Sequence, residues 1–307
     1  MGLKFLRYID LPENVAEGGF DHAAVHSSRR RLYVAHTANN GLDVIDCQAD
    51  RYLHSLPDLT GVAGAFASEE RDLVFTSNRG EDTVGIFSPD EEQKMVKVPV
   101  GVRPNGLAFD PKRSLLLAAN VGNPDRQEFP NLSVIDIQKR KMVAAIPVPG
   151  RTRWAIFATK SGEFFVNIAE PAQIVVVDGA NPDRIARTMD IPFQGPHGLD
   201  LEAATGRLFC ACDSGNLVCL DAESGEVLIS AELSGKPDVI FFNPALKHLY
   251  VAVGAPGVID VFDTSTLHWL ETIPTEKGAH TLAFDAGRNK VYAFLPDTHH
   301  AAVFMAE

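Results

Sequence analysis

Stretches of 41–48 residues repeat one four-part order along the chain. One unit reads Arg103-Pro104-Asn105-Gly106-Leu107-Ala108-Phe109-Asp110-Pro111, then an apolar run over 115–119, then Leu132-Ser133-Val134-Ile135-Asp136, then a fourth part over 142–150. The third part returns as Leu42-Asp43-Val44-Ile45-Asp46, Ile174-Val175-Val176-Val177-Asp178, Leu217-Val218-Cys219-Leu220-Asp221 and Ile259-Asp260-Val261-Phe262-Asp263. Aligned on Asn105, the units place Asp21 or His22, Ala63, Asn105, Arg153, His197, Asp238 and His280 at one register. The spacings from Asp21 onward are 42, 42, 48, 44, 41 and 42.

Seven units of this length, each with four short runs rich in Val, Ile, Leu and Phe, have the periodicity of an all-β, seven-bladed β-propeller. Gly, Pro, Asn and Asp bound the runs, as strand-and-turn punctuation requires. No segment sustains a 3.6-residue apolar period between helix caps, so helix content should be very small. The last unit holds only three strand-like runs, and residues 4–12 resemble the missing fourth. Pairing the N-terminal strand onto blade seven would close the ring and hide two sheet edges. The expectation is a single propeller domain over 1–307.

Composition narrows the partners. The 307 residues are 45% hydrophobic and 22% charged, a globular balance rather than a disordered one. Lys and Arg number 28 against 40 Asp and Glu, a net charge of −12, and no basic cluster offsets it. Such a surface repels phosphate backbones and anionic lipid, so neither nucleic acid nor a membrane is the expected partner. No run of 18 apolar residues occurs, and the first residues lack the apolar core of a signal peptide. Four cysteines in a chain this long do not form a disulfide framework, and a reducing cytoplasm is the expected compartment. Oligomeric state leaves no mark in the sequence.

The strands Leu32-Tyr33-Val34-Ala35-His36, Val74-Phe75-Thr76-Ser77-Asn78 and Leu249-Tyr250-Val251-Ala252-Val253 resemble the Tyr-Val-Thr-Asn strand of YVTN-type β-propellers. No unit reads Tyr-Val-Thr-Asn in full. The resemblance spans the chain and implies a fold, because that family holds both binding scaffolds and enzymes. The overall plan is also similar to that of seven-bladed lactonases and of streptogramin B lyases, although none of their catalytic motifs matches residue by residue.

In a propeller the first strand of each blade lines the central channel, so the Asn105 register should converge at one mouth. Loops between second and third strands should rise around it, carrying His36, Asn39, Asn40, Asn78, Arg79, Asn120, Asn167, Glu170, Asp213, Asn216, His299 and His300. The longest, over 121–131, is a candidate lid, or else a solvated hairpin end. Three readings of the mouth compete. His197, Asp238 and His280 could ligate a divalent metal, the one cofactor the residue types suggest. Alternatively His197, His280 and Asp238 perform acid–base chemistry, with Arg153, Asn105, His22 and Asn120 binding a small anionic or carbonyl-bearing substrate, as in a hydrolase or lyase. In the third reading these groups satisfy one another structurally. The opposing functional class is a scaffold that binds a protein through its rim loops.

Other motifs read as structural. Asp46, Asp136, Asp178, Asp221 and Asp263 should bond their own turns on the opposite face. Cys210 and Cys219 are expected opposite one another across a hairpin, as buried free thiols.

Overall fold

Each repeat forms one four-stranded antiparallel sheet, and seven sheets stand around a common axis as a β-propeller. The computed structural model describes residues 2–307. Blade one comprises Phe20–His26, Arg31–His36, Gly41–Asp46 and Arg51–Leu56. Blades two to six follow in the same order over 62–99, 104–147, 152–190, 196–232 and 236–274. Blade seven holds Thr281–Asp285, Lys290–Leu295 and His300–Ala306 and takes its fourth strand from the other end of the chain. That strand is Leu3–Asp10, slightly earlier than 4–12, and it runs antiparallel to His300–Ala306 with Ile9 opposite Ala301. The first strands of successive blades touch in turn, and that of blade seven touches that of blade one.

The apolar faces of neighbouring sheets interdigitate in seven clusters, one per junction. Leu32 and Ile45 meet Tyr292 and Phe294 between blades one and seven. Phe165 and Val176 meet Leu208 and Val218 between blades four and five. Burying each such side chain contributes roughly 1.5–3 kcal/mol, so the second and third strands carry most of the stability and leave the first strand's ends free for polar groups. Among the described residues helix is confined to three single turns, Thr37–Asn39, Glu92–Lys94 and Pro124–Arg126. Among the described residues no helix is long and apolar enough to cross a membrane.

The third-strand aspartates do cap their turns. Asp46 Oδ1 accepts from the Gln48 and Ala49 N–H groups at 2.9 and 3.0 Å, and Asp263 Oδ1 from Ser265 and Thr266 at 3.0 Å each. The cysteine register differs from expectation. Cys210 faces Val218, and Cys219 faces Phe209. The cause is a three-residue turn, Asp213-Ser214-Gly215, with Gly215 at φ +81°; the odd count shifts the pairing by one. All four thiols are free and buried.

One irregularity places the mouth. In blades one to six the first strand carries a bulge against the second at the register picked out by the repeat. The shifts lie between Phe20 and Ala23, Val62 and Gly64, Pro104 and Leu107, Thr152 and Ala155, Pro196 and Gly198, and Pro237 and Ile240. A bulge breaks strict alternation and re-aims side chains, so adjacent residues can both reach the channel. The glycine that follows lets the next blade close in. A Cβ on Gly198 would stand 2.3 Å from the Asp238 carbonyl oxygen, and one on Gly106 would stand 2.5 Å from that of Arg153.

Candidate functional site

The bulged strand ends and the loops between second and third strands meet at one mouth. His197, second residue of its strand, is nearly buried. Its Nδ1 lies 2.6 Å from Asp213 Oδ1, at the start of the next loop in its own blade. Its Nε2 lies 3.1 Å from Asp238 Oδ1 of blade six. Burial alone would strip the proton from this ring, but Asp238 and Asp213 outweigh it and lift His197 to about 9. At neutral pH it is an imidazolium clamped between carboxylates.

Asp238 is the hinge of this arc. Burial would raise its carboxyl, yet the charge on His197 above all holds it well below the ordinary carboxylate range. Its Oδ2 lies 3.9 Å from His280 Nε2. His280 Nδ1 lies 2.7 Å from the Gly278 carbonyl oxygen, which only accepts. The Nδ1 nitrogen therefore carries the proton, and in the neutral ring the Nε2 lone pair faces the mouth.

The other side of the mouth is cationic. Arg153 Nη2 donates to Asp213 Oδ2 at 3.2 Å, and Lys236 Nζ lies 3.4 Å from the same oxygen. Arg153 Nη1 also stands 3.3 Å from His197 Nε2; with that ring protonated the approach is cation against cation, offset by the shared Asp213. Arg79 donates to Asn105 Oδ1 and approaches Asp21 Oδ2 at 3.4 Å. Burial holds the Arg151 guanidinium below its ordinary value, with Arg153, Arg79 and Arg103 adding repulsion. Four guanidinium groups from blades two to four thus crowd one arc. His22, kept neutral chiefly by burial, packs on Trp154 with ring centroids 4.2 Å apart. Trp154 comes from blade four, across the ring from blade one, and also meets Phe241 of blade six edge-on at 6.3 Å.

Of the expected residues, His22, Asn105, Arg153, His197, Asp238 and His280 come together. Asn120 does not join them: it is fully buried and its amide nitrogen donates to Asn131 Oδ1 and Ser133 Oγ, both at 2.9 Å, tying down the base of its own loop. The metal expectation for His197, Asp238 and His280 gains no support. Among the described residues no group of three or more His, Cys, Asp or Glu side chains is arranged to hold a metal ion. His197 has both ring nitrogens turned to carboxylates. Sequence reading missed Arg103, Arg151, Lys236 and Trp154. The two arginines sit two residues before Asn105 and Arg153, so extending the aligned register by one turn would have found them.

No family model and no curated protein matches the chain. Solved structures do. Hydrazine synthase of Kuenenia stuttgartiensis superposes with a TM-score of 0.81 at 13% identity, covering 95% of this chain and 96% of that one. A chain of a mitotic checkpoint complex superposes with 0.80 at 11% identity, covering 98% and 91%. The likeness is one of fold. At such identities it assigns no chemistry, and the YVTN resemblance of the strands finds no support from a family model.

Proposed function

We propose that the mouth binds a small carboxylate- or phosphate-bearing metabolite and hydrolyses an ester or lactone bond in it. The observation that carries this reading is a set of buried polar atoms with no hydrogen-bond partner: Arg79 Nε, Arg153 Nε and Asp238 Oδ1. The 3.1 Å approach of His197 leaves Asp238 Oδ1 an ion-pair partner out of line for a hydrogen bond. Folded proteins satisfy nearly all such groups; the two arginine donors suit an anion, and the Asp238 acceptor suits a hydroxyl or water beside it.

The roles follow from the geometry. The arginine arc, with Asn105, holds the anion through planar forks. His280 Nε2 removes a proton from water as the water oxygen bonds to the acyl carbon. The His197 imidazolium and Arg153 stabilise the negative charge that develops on the acyl oxygen. The acyl carbon–oxygen bond then breaks, and the proton passes from His280 to the departing oxygen, leaving a hydroxy acid. The Gly278 carbonyl positions His280 through Nδ1, and Asp238 keeps His197 charged.

The test is hydrolysis of a panel of carboxylated lactones in water enriched in heavy oxygen. The reading expects turnover with one heavy oxygen in the acid product, and a loss of about 100-fold or more in kcat for His280→Ala. Arg153→Ala should raise KM more than it lowers kcat. Product without heavy oxygen would mean elimination, and neither turnover nor anion binding by the wild-type chain would sink the reading. A second reading, a scaffold docking a protein on its rim, rests on Phe129, 75% exposed in the blade-three loop. It expects Phe129→Ser to abolish binding and mouth substitutions to leave it intact.

A further inference from the structure

The channel has a second end. Below the His22–Trp154 pair a cavity of about 450 Å³ opens on the face that carries the turns between first and second strands. Six aromatic residues line it, Phe66, Phe109, Trp154, Phe157, Phe241 and Phe284, drawn from blades two, three, four, six and seven. Among the described residues that line it there is no lysine or arginine, and His22 is neutral. Its charges are all acidic: Asp200 in the wall, Glu69 and Glu70 at the rim. Asp200 Oδ1 and Oδ2 accept only backbone N–H groups, from Leu201 at 2.8 Å and Phe242 at 2.7 Å. Burial pushes its carboxyl up to about 6, so at neutral pH it is a carboxylate without a cation. The nearby guanidinium groups are engaged elsewhere. Arg71 donates to the Pro111 carbonyl, and Arg29 pairs with Asp72 and Asp90.

We propose that this end is a binding site for an organic ammonium ion with an apolar body. The rings attract a cation and shed water from its alkyl or aryl part, and Asp200 supplies the countercharge. A carboxylate would be repelled, and a plain hydrocarbon would leave Asp200 uncompensated. The volume suits one small molecule.

The probe is phenethyltrimethylammonium, compared with its isosteric neutral hydrocarbon and with phenylpropionate. The chain has two tryptophans, so Trp269→Phe leaves Trp154 as sole fluorescent reporter in the cavity wall. The site predicts a saturable change in Trp154 emission with the ammonium ion. Binding should be at least about tenfold tighter than for the hydrocarbon, with none for phenylpropionate. Asp200→Asn should weaken it by a similar factor. Glu70→Lys, at an exposed side chain, carries the charge test if that variant does not fold, and should weaken binding measurably. Ala67→Phe, which enlarges a residue lining the cavity, should abolish it. Equal affinity for the neutral isostere, full binding by folded Ala67→Phe, or no response from Trp154 would each overturn the assignment.

Discussion

The two ends of the channel are built from the same seven strands and are chemically opposite. At the mouth the strand ends present Arg153, His197, Asp238 and Asn105; a few residues further along the same strands present Phe157, Leu199, Ile240 and Phe109. The bulge brackets the polar set. Within it, pairing is irregular and polar groups find partners on neighbouring blades. Below it, strict alternation resumes and apolar side chains fill the interior. A propeller can thus carry two unlike sites on one set of strands, provided something separates them. Here His22 and Trp154, packed together at a tilt and both lining the lower cavity, stand at the boundary.

Removing Trp154 from that boundary should have the largest effect. Trp154→Ala deletes a large, partly buried ring that touches blades one and six, and should cost about 3 kcal/mol in denaturant unfolding. It should also let water pass between the two ends, read as faster exchange of amides flanking His22. Next comes the ion pair that makes the mouth polar. Asp238→Ala leaves the His197 imidazolium with one carboxylate instead of two, and should cost about 2 kcal/mol, reduced from a fully buried pair by solvent at the mouth. The pH profile sharpens this. The folded value of His197, about 9, lies above its ordinary 6.5, so folding binds the proton more tightly. That stabilisation is complete below pH 6.5 and is lost as pH rises through about 9, and His197→Gln should flatten this alkaline limb. Asp238 acts in the opposite direction. Its lowered carboxyl contributes stability above its ordinary 3.8, lost as the solution becomes more acidic.

Smaller effects probe the close approach of blades. Gly198→Ala forces a Cβ against the Asp238 carbonyl oxygen and should cost about 1–3 kcal/mol. Lys236→Ala removes an exposed partner of Asp213 and should shift stability by less than about 0.5 kcal/mol.

The ring was legible because each blade repeats one pattern of apolar runs and turn residues, and because blade seven lacked a strand that the N-terminus resembled. The mouth was legible only as a register. Asp21 and His22 could not be separated from sequence because the bulge gives both a role: Asp21 approaches Arg79, and His22 packs on Trp154. A one-residue bulge adds no motif to the chain, so it went unread. Asn120 misled because a polar residue at a strand end looks the same whether it faces a channel or folds back onto Ser133. Trp154 leaves no mark in the repeat, because it is the bulge between Thr152 and Ala155 that carries it to His22 and Phe241.

The central claim is that seven copies of one strand bring carboxylates from blades five and six onto the same imidazole. Titration of the His197 ring by NMR tests this most directly. The account predicts a midpoint near 9 in the folded protein. A midpoint near 6.5, with the fold intact, would mean that Asp213 and Asp238 do not flank it and that the mouth is not the site described.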